Sequence, residues 1–200
     1  MSAKQAAFLS LASALAFCVV AALVYGSDRV QRHDARLLVR LYARRETAFG
    51  DIAAAVVHLG DPAAQAVLVG GLIAVAIGLG RRREAIGAAV LVLGANLTTQ
   101  VLKGVLSQPR YQPLLGYEQV SADAFPSGHA TAMAAMTYAC LLVLPRRWWP
   151  VAAISASLAV LVGASSVVLH KHYSSDVVGG VLLATAWFWG VLAVLRYRQK

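Results

Sequence analysis

Long runs of apolar residues, without the polar stripe of a surface helix, recur along the whole chain. Each of six runs is long enough, or nearly so, to cross the hydrocarbon core of a bilayer, which is about 30 Å thick. These runs cover residues 6–25, 63–80, 85–102, 128–144, 151–169 and 177–195. So many runs in 200 residues leave too little chain for a soluble core. The pattern therefore predicts an all-α, polytopic membrane protein, a single domain over residues 1–200 with six transmembrane helices.

The segment between the first two runs, residues 27–61, has a different pattern. Apolar residues recur there at near-helical spacing with arginines between them, which predicts one or two interfacial helices. The apolar positions are Val30, Leu37, Leu38, Leu41 and Tyr42. A second piece, residues 52–59, ends at Gly60-Asp61-Pro62, where the proline suits the start of a helix. His33 and His58 are interpreted here as interfacial or packing residues rather than catalytic ones.

Composition supports a membrane protein. The chain is 59% hydrophobic and 14% charged, whereas a soluble domain is nearer about half apolar and about a quarter charged. The net charge of +9 does not indicate nucleic-acid binding, because the cations are divided among several loops rather than gathered on one face. Cys18 and Cys140 each lie inside an apolar run, which favours small helix residues over disulfide or metal roles.

The short loops predict the orientation. Run 6–25 exceeds the apolar stretch of a signal peptide, roughly 7–15 residues, so it is predicted to be a retained helix. Cationic residues then fall on one side of a six-helix topology, which the positive-inside rule makes cytoplasmic together with both termini. These residues are Lys4, Arg81, Arg82, Arg83, Arg146, Arg147, Arg196, Arg198 and Lys200. The polar stretches discussed next are therefore predicted to be extracytoplasmic, although the arginine-containing segment 28–45 faces the same way.

Pro126-Ser127-Gly128-His129 follows a polar loop and opens an apolar run. Ser127 is a suitable helix cap, and the unpaired N–H groups of the first turn would attract an anion. Gly128 would let an oxyanion approach the backbone closely, with His129 beside it. The same tetrapeptide is also compatible with a plain turn and an incidental histidine.

His172 and Asp176 are four residues apart at the start of the last apolar run. On a helical turn both face one side, so Asp176 could accept from one ring nitrogen and leave the other as a nucleophile. His170, His172 and Asp176 are also compatible with a metal set, the less favoured interpretation. Lys103 and Arg110 flank the end of the third run, where cations often serve only as membrane-edge residues. Lys103 and Arg110 are nevertheless candidates for the site, because they are predicted to lie on the same side of the membrane as His129 and His172.

Together these stretches resemble the type 2 phosphatidic acid phosphatase superfamily, whose members include polyprenyl-diphosphate phosphatases, glucose-6-phosphatases and vanadium haloperoxidases. The first motif of that family is Lys, six residues, then Arg-Pro; Lys103 and Arg110 keep this spacing, and Tyr111 replaces the proline. The second motif, Pro-Ser-Gly-His, is intact at residues 126–129. The third is Ser-Arg, five residues, His, three residues, Asp. Its matching positions here are Ser165, Ser166, His172 and Asp176.

The resemblance implies a role for each matching residue. His172, oriented by Asp176, would attack phosphorus and form a phosphohistidine. His129 would protonate the leaving oxygen and then activate water. The phosphate oxygens would be held by Lys103, Arg110, Ser127 and the Gly128 N–H. No metal and no cofactor is implied, because cationic side chains neutralise the charge.

The chain departs from the family at Ser166, where an arginine would grip two phosphate oxygens. A hydrogen bond to a charged group is worth about 1.5–3 kcal/mol, so its loss could cost roughly 10- to 100-fold in rate. The hypothesis favoured here is that Lys171 supplies the missing cation. His170, or an arginine from residues 28–45, are the alternatives.

The predicted function is that of an integral membrane phosphatase acting on a lipid phosphate or diphosphate, with candidates that include polyprenyl diphosphate, polyprenyl phosphosugar phosphate, phosphatidate and phosphatidylglycerol phosphate. Two alternatives remain. One is a phosphotransferase that passes the phosphoryl group from the same histidine to an acceptor other than water. The other is a catalytically silent lipid-phosphate binder or transporter, supported only by Ser166. The expected partners are the lipid substrate and membrane lipids, not nucleic acid.

Overall fold

The computed structural model describes residues 1–110, 112–116 and 119–197. The chain is all-α in these ranges. The helices are α1 (Ala3–Gly26), α2 (Asp28–Tyr42), α3 (Ala48–Val57), α4 (Pro62–Gly78), α5 (Arg82–Val105), α6 (Gly128–Val143), α7 (Trp149–Val168) and α8 (Ser174–Tyr197). Short 3₁₀ turns at His58–Gly60, Pro113–Leu115 and Arg146–Trp148 lie between them.

The six predicted runs correspond to α1, α4, α5, α6, α7 and α8, with ends that agree within a few residues. In the described ranges, four helical segments are long and apolar enough to cross a membrane: Ala3–Gly26, Arg82–Val105, Arg146–Val168 and Ser174–Tyr197. A fifth span arises only if Ala48–Gly60 and Pro62–Gly78, which meet at a bend of 59°, are taken together. Helix α6 is shorter, at 16 residues. A multi-pass fold is thus confirmed, whereas the count of six transmembrane helices stays a prediction.

Helix α6 occupies the centre of the fold, where it packs against α5, α7 and α8, while α1 lies along α8. Small residues bring these helices close together. At Gly94 of α5, for example, an added Cβ would lie 2.5 Å from the Trp187 ring of α8. The indole N–H of Trp187 then donates to the hydroxyl of Thr98 at 3.2 Å. Thr98, a polar residue near the end of α5, therefore links two helices.

The segment between α1 and α4 is helical, as predicted, but its contacts are largely with the protein. The apolar side of α2, with Ala35 and Leu38, is buried in a cluster that includes Leu115 and Tyr173. Helix α3 is apolar and packs against α7. The exposed side of α2 carries arginines: Arg29, Arg32, Arg36 and Arg40.

Helix α2 also holds the start of α8. The buried Asp34 carboxylate accepts hydrogen bonds from the Ser174 hydroxyl at 2.6 Å, the Ser175 N–H at 3.2 Å and the Ser175 hydroxyl. A carboxylate at this position satisfies first-turn donors and favours the positive end of the helix dipole. The first turn of α8, which contains Asp176, is thereby fixed.

The two ends of the helical bundle differ in chemistry. At one end, Arg81 donates to the carbonyl of Leu142, at the end of α6, and Arg83 donates to that of Leu195, at the end of α8. The three motif regions lie at the other end, where α6 begins. Of the cationic residues used to predict orientation, Arg198 and Lys200 lie outside the described residues.

Candidate active site

The start of α6 has features that suit an anion. Ser127 caps the helix through its hydroxyl, which accepts from the Ala130 N–H at 3.3 Å. The N–H of Ser127 donates to the Asp176 carbonyl at 3.0 Å, which joins the second and third motif regions. Gly128 is the first helical residue, and a Cβ added there would have no atom within 4 Å. An oxyanion could therefore approach the first-turn N–H groups, where the helix dipole favours negative charge.

His172 and Asp176 lie close together, but they are not hydrogen-bonded. Nδ1 of His172 is 3.7 Å from Oδ2 of Asp176, which exceeds normal hydrogen-bond length. Both side chains are buried, with exposed fractions of 8% and 0%. Oδ2 of Asp176 instead accepts from the Tyr173 N–H at 2.8 Å. The predicted pairing of His172 with Asp176 is thus present as a close contact. A small movement of the His172 ring would turn this contact into a hydrogen bond.

The other oxygen of Asp176 is bound to Arg110. Nη2 of Arg110 donates to Oδ1 of Asp176 at 2.8 Å in an ion pair that is almost fully buried. The guanidinium also lies over the Tyr173 ring, 4.5 Å from its centroid. Burial raises the pKa of Tyr173 to about 12, so this phenol stays neutral at physiological pH. Arg110, predicted to contact phosphate, therefore neutralises the carboxylate beside His172.

Lys103 lies near the same centre, at the end of α5. Its Nζ donates to the backbone carbonyl of Asp123 at 2.6 Å. The Ser121 hydroxyl, followed by the Lys103 charge, lowers the pKa of the Asp123 carboxyl. Lys103 also lies within electrostatic range of Asp176. Lys103, a predicted phosphate ligand, thus lies near the buried Arg110–Asp176 pair.

The rings of the two predicted catalytic histidines are neighbours in an edge-to-face contact. The ring centroids of His129 and His172 are 6.3 Å apart, and the ring planes meet at 64°. Rings this close can act on one bound phosphoryl group, since a reacting group needs to lie roughly 3 Å from each catalytic atom. One histidine can attack on one side while the other serves the leaving oxygen.

Sequence reasoning missed Asp61. Its Oδ1 lies 3.1 Å from Nε2 of His129, and its Oδ2 lies 2.8 Å from Nδ1 of His58. The hydrogen bond from His58, with a further one from His129, lowers the pKa of the Asp61 carboxyl. The spacing of His58 and Asp61, three residues apart at a helix start, was the signal that could have pointed to a histidine–carboxylate pair.

Ser166, at the position of the family arginine, has a structural role in this chain. It is fully buried, and its hydroxyl donates to the Gly163 carbonyl at 2.7 Å. Its own carbonyl accepts from the N–H groups of Lys171 at 2.9 Å and His172 at 3.2 Å. Ser166 therefore shapes the loop that carries His172.

Lys171 and His170, which precede His172 in the chain, lie in different environments. Lys171 is exposed and lies within electrostatic range of His129. His170 has a positive φ of 61°, and its ring meets that of Tyr42 edge-on at 5.1 Å. In the described part of the chain, no group of three or more His, Cys, Asp or Glu side chains could hold a metal ion, so the metal interpretation gains no support. Tyr111 lies outside the described residues.

Comparisons with known proteins identify relatives of this chain. The family model of the PAP2 superfamily matches residues 84–200, which include all three motif regions. Phosphatidylglycerophosphatase B of Bacillus subtilis is 29% identical over 202 residues, covering 93% of this chain and 96% of that protein. Lipid A 1-phosphatase of Rhizobium johnstonii is 34% identical over 88 residues, covering 44% of this chain and only 33% of that protein.

The fold is similar to a solved structure. The crystal structure of a transmembrane PAP2 type phosphatidylglycerolphosphate phosphatase from Bacillus subtilis superposes with a TM-score of 0.78. The match covers 96% of this chain and 98% of that chain at 24% identity, so it establishes likeness of fold. The chain is therefore a multi-pass membrane protein that belongs to the PAP2 superfamily.

Proposed function

We propose that this protein is a membrane phosphatase that hydrolyses a lipid phosphate or diphosphate through a phosphohistidine on His172. The observation that carries the proposal is the proximity of the His129 and His172 rings, whose centroids are 6.3 Å apart, beside the open start of α6. Family membership supports it, and two relatives are named as phosphatases of lipids.

The first step is attack on phosphorus by His172. Because Nδ1 faces Asp176, the attacking atom is Nε2. An N–P bond forms, the P–O bond to the lipid breaks, and His129 gives its proton to the leaving oxygen. Asp176 stabilises the charge that develops on the His172 ring once their 3.7 Å contact shortens. Such tightening on substrate binding is common, since catalytic hydrogen bonds are often long without substrate.

The second step releases phosphate. Water attacks phosphorus as His129 takes its proton, the N–P bond breaks, and both histidines return to their starting states. Charge on the phosphoryl oxygens is stabilised by the start of α6, at Ser127 and Gly128, and by cations. In this proposal the cations are Lys103, Arg110 and Lys171. Preorganised donors of this kind are commonly worth roughly 10²–10³ in rate each, and they make the reaction independent of a metal.

Lys171 takes the place of the family arginine in this account. Ser166 is buried and its hydroxyl is bound to a backbone carbonyl, so it is poorly placed to contact phosphate. Lys171 is exposed, adjoins His172 and lies within electrostatic range of His129. A lysine binds phosphate as a point charge rather than as a planar fork, so a moderate loss of rate relative to arginine is expected.

The substrate class follows from where the site lies. A phosphate site at the ends of membrane helices suits a headgroup at the bilayer surface whose tail stays in lipid. Phosphatidylglycerol phosphate is the first substrate to test, because phosphatidylglycerophosphatase B matches nearly the whole chain. Polyprenyl diphosphate and phosphatidate follow. The arginine-rich loops at the opposite end favour a cytoplasmic location for both termini and an extracytoplasmic site.

The test is phosphate release by detergent-purified protein in the presence of a chelator. Each of the three lipids is offered to the wild-type protein and to a His172→Ala variant shown to be folded. We expect chelator-resistant release by the wild type and none by the variant. Equal release by both proteins would contradict the role of His172. A phosphorylated acceptor without free phosphate would instead indicate a phosphotransferase.

A further inference from the structure

A second histidine–carboxylate group lies beside the candidate site. Oδ1 of Asp61 is 3.1 Å from Nε2 of His129, and Oδ2 of Asp61 is 2.8 Å from Nδ1 of His58. One carboxylate thus bridges two imidazole rings. Resting on the proposed function, in which His129 protonates the leaving oxygen, we propose that Asp61 is a positioning residue that fixes the tautomer and orientation of His129.

The protons in this group can be assigned from the chemistry of a carboxylate. An ionised carboxylate only accepts hydrogen bonds, and the lowered pKa of Asp61 keeps it ionised at neutral pH. Nε2 of His129 must therefore carry a hydrogen and donate it to Asp61. Nδ1 is then the atom that gives a proton to the leaving oxygen and later takes one from water. The negative charge of Asp61 also stabilises the imidazolium form that must be present before the first step.

The backbone before α4 supports the same role. An added Cβ at Gly60 would lie 2.6 Å from Cδ2 of His129 and 3.0 Å from Cγ. Real Cβ atoms do not approach other atoms so closely, so the chain passes against the imidazole only because this residue is glycine. Gly60 and Asp61 together hold the ring from its face and from its Nε2 atom.

The Asp61 carboxylate does not cap α4, although Asp61 directly precedes that helix. It is the N-cap residue of α4, and aspartate at an N-cap normally accepts from a first-turn N–H. Its side chain makes no such cap bond. Both oxygens are instead directed to histidines, which indicates a role beyond starting the helix.

A purely stabilising role is a weaker explanation. The Asp61 side chain is 41% exposed and that of His129 is 21% exposed, and exposed ion pairs contribute little to stability. Among the described residues, the charged and titratable groups that act on His129 are Asp61 and, from the loop before α8, Lys171 and His172. His58 is exposed and acts through Asp61. Burial is the main factor that disfavours a charged His129, and the charges of His172 and Lys171 add to it; the Asp61 carboxylate offsets part of these effects.

The experiment compares Asp61→Asn with Asp51→Asn, a matched removal of an exposed carboxylate on α3. The readout is the pH profile of phosphate release, measured as kcat and KM, in folded protein. We expect Asp61→Asn to lower kcat by roughly 10- to 100-fold with little change in KM. The alkaline limb, where His129 loses its proton, should move down by about one pH unit. The Asp51→Asn profile should match that of the wild type, and His58→Ala should show a smaller change.

A second readout does not depend on turnover. In protein with ¹⁵N-labelled histidines, the His129 signals are identified by their loss in His129→Gln. We expect the Nε2–H tautomer in the wild type and a mixture of tautomers in Asp61→Asn. An Nδ1–H tautomer in the wild type would overturn the proposal, as would an Asp61→Asn pH profile identical to the wild-type profile. In the latter case, wild-type release that His172→Ala abolishes would show that the proposed function still stands. Absence of phosphate release by the wild type would instead contradict the proposed function itself.

Discussion

Removing one member of the Arg110–Asp176 pair should destabilise the protein strongly. Both side chains are almost fully buried, and their atoms are 2.8 Å apart. Breaking a buried ion pair from one side typically costs about 3–5 kcal/mol, because the remaining charge stays buried without compensation. The cost of Arg110→Met should lie near the lower end of this range, since Asp176 keeps the Tyr173 N–H as a donor. Asp176→Leu should fall near the upper end, because it strands both the guanidinium and that N–H.

The double variant Arg110→Met/Asp176→Leu separates stability from chemistry. Replacing both members of a buried pair by apolar residues of similar volume is often neutral or stabilising. We therefore expect the free energy of unfolding, measured by denaturant titration in detergent, to recover most of the loss seen in Asp176→Leu. It should stay about 1–3 kcal/mol below the wild-type value, because the Tyr173 N–H still lacks its acceptor. Phosphate release should stay abolished, because His172 has lost its carboxylate. Release by the double variant at the wild-type rate would refute the role given to Asp176, and a wild-type unfolding energy for Arg110→Met would refute the energetic argument.

Three substitutions test the phosphate site. Gly128→Ala should lower phosphate release by at least about tenfold without changing the melting temperature, because the methyl group fills space where an oxyanion would lie. Gly104→Ala, which also places a methyl group in open space, is the control and should change neither quantity. Lys171→Ala should lower release by roughly tenfold, with Lys171→Arg retaining it; unchanged release in the alanine variant would show that Lys171 is not the missing cation. Ser166→Arg should raise release by up to about tenfold if the fold admits the side chain, and a folded but less active variant would contradict the view that the site is weakened by this serine.

Features that depend on local sequence were predictable. The ends of the apolar helices follow hydropathy, and the Ser127 cap follows from a hydroxyl residue before an apolar run. The near-helical spacing of Leu37, Leu38 and Leu41 identified the apolar side of α2, which is the side that packs against the protein. Three motifs in order predicted that His129 and His172 lie at the same end of the bundle, and the structure places their rings edge to face, with centroids 6.3 Å apart.

Features that depend on distant parts of the chain were not predictable. Asp61 meets His129 across 68 positions, which depends on the 59° bend between α3 and α4. Arg110 meets Asp176 across 66 positions, and nothing in its motif shows that a carboxylate will accept its charge. Asp34 binds the first turn of α8, and nothing in its sequence position points to that contact. In each case a charged side chain satisfies a partner that only the packed fold brings near.

The most direct test of the account is to trap the phosphohistidine. Detergent-purified protein is mixed with ³²P-labelled phosphatidylglycerol phosphate, quenched in alkali within milliseconds, and separated from lipid. We predict a protein-bound label that resists alkali, is lost in acid, and is absent from His172→Ala. In His129→Ala the label should form more slowly, because the leaving oxygen lacks its acid, and should then persist, because hydrolysis of the intermediate lacks its base. Rapid phosphate release by the wild type with no such label at any quench time would contradict covalent catalysis by His172.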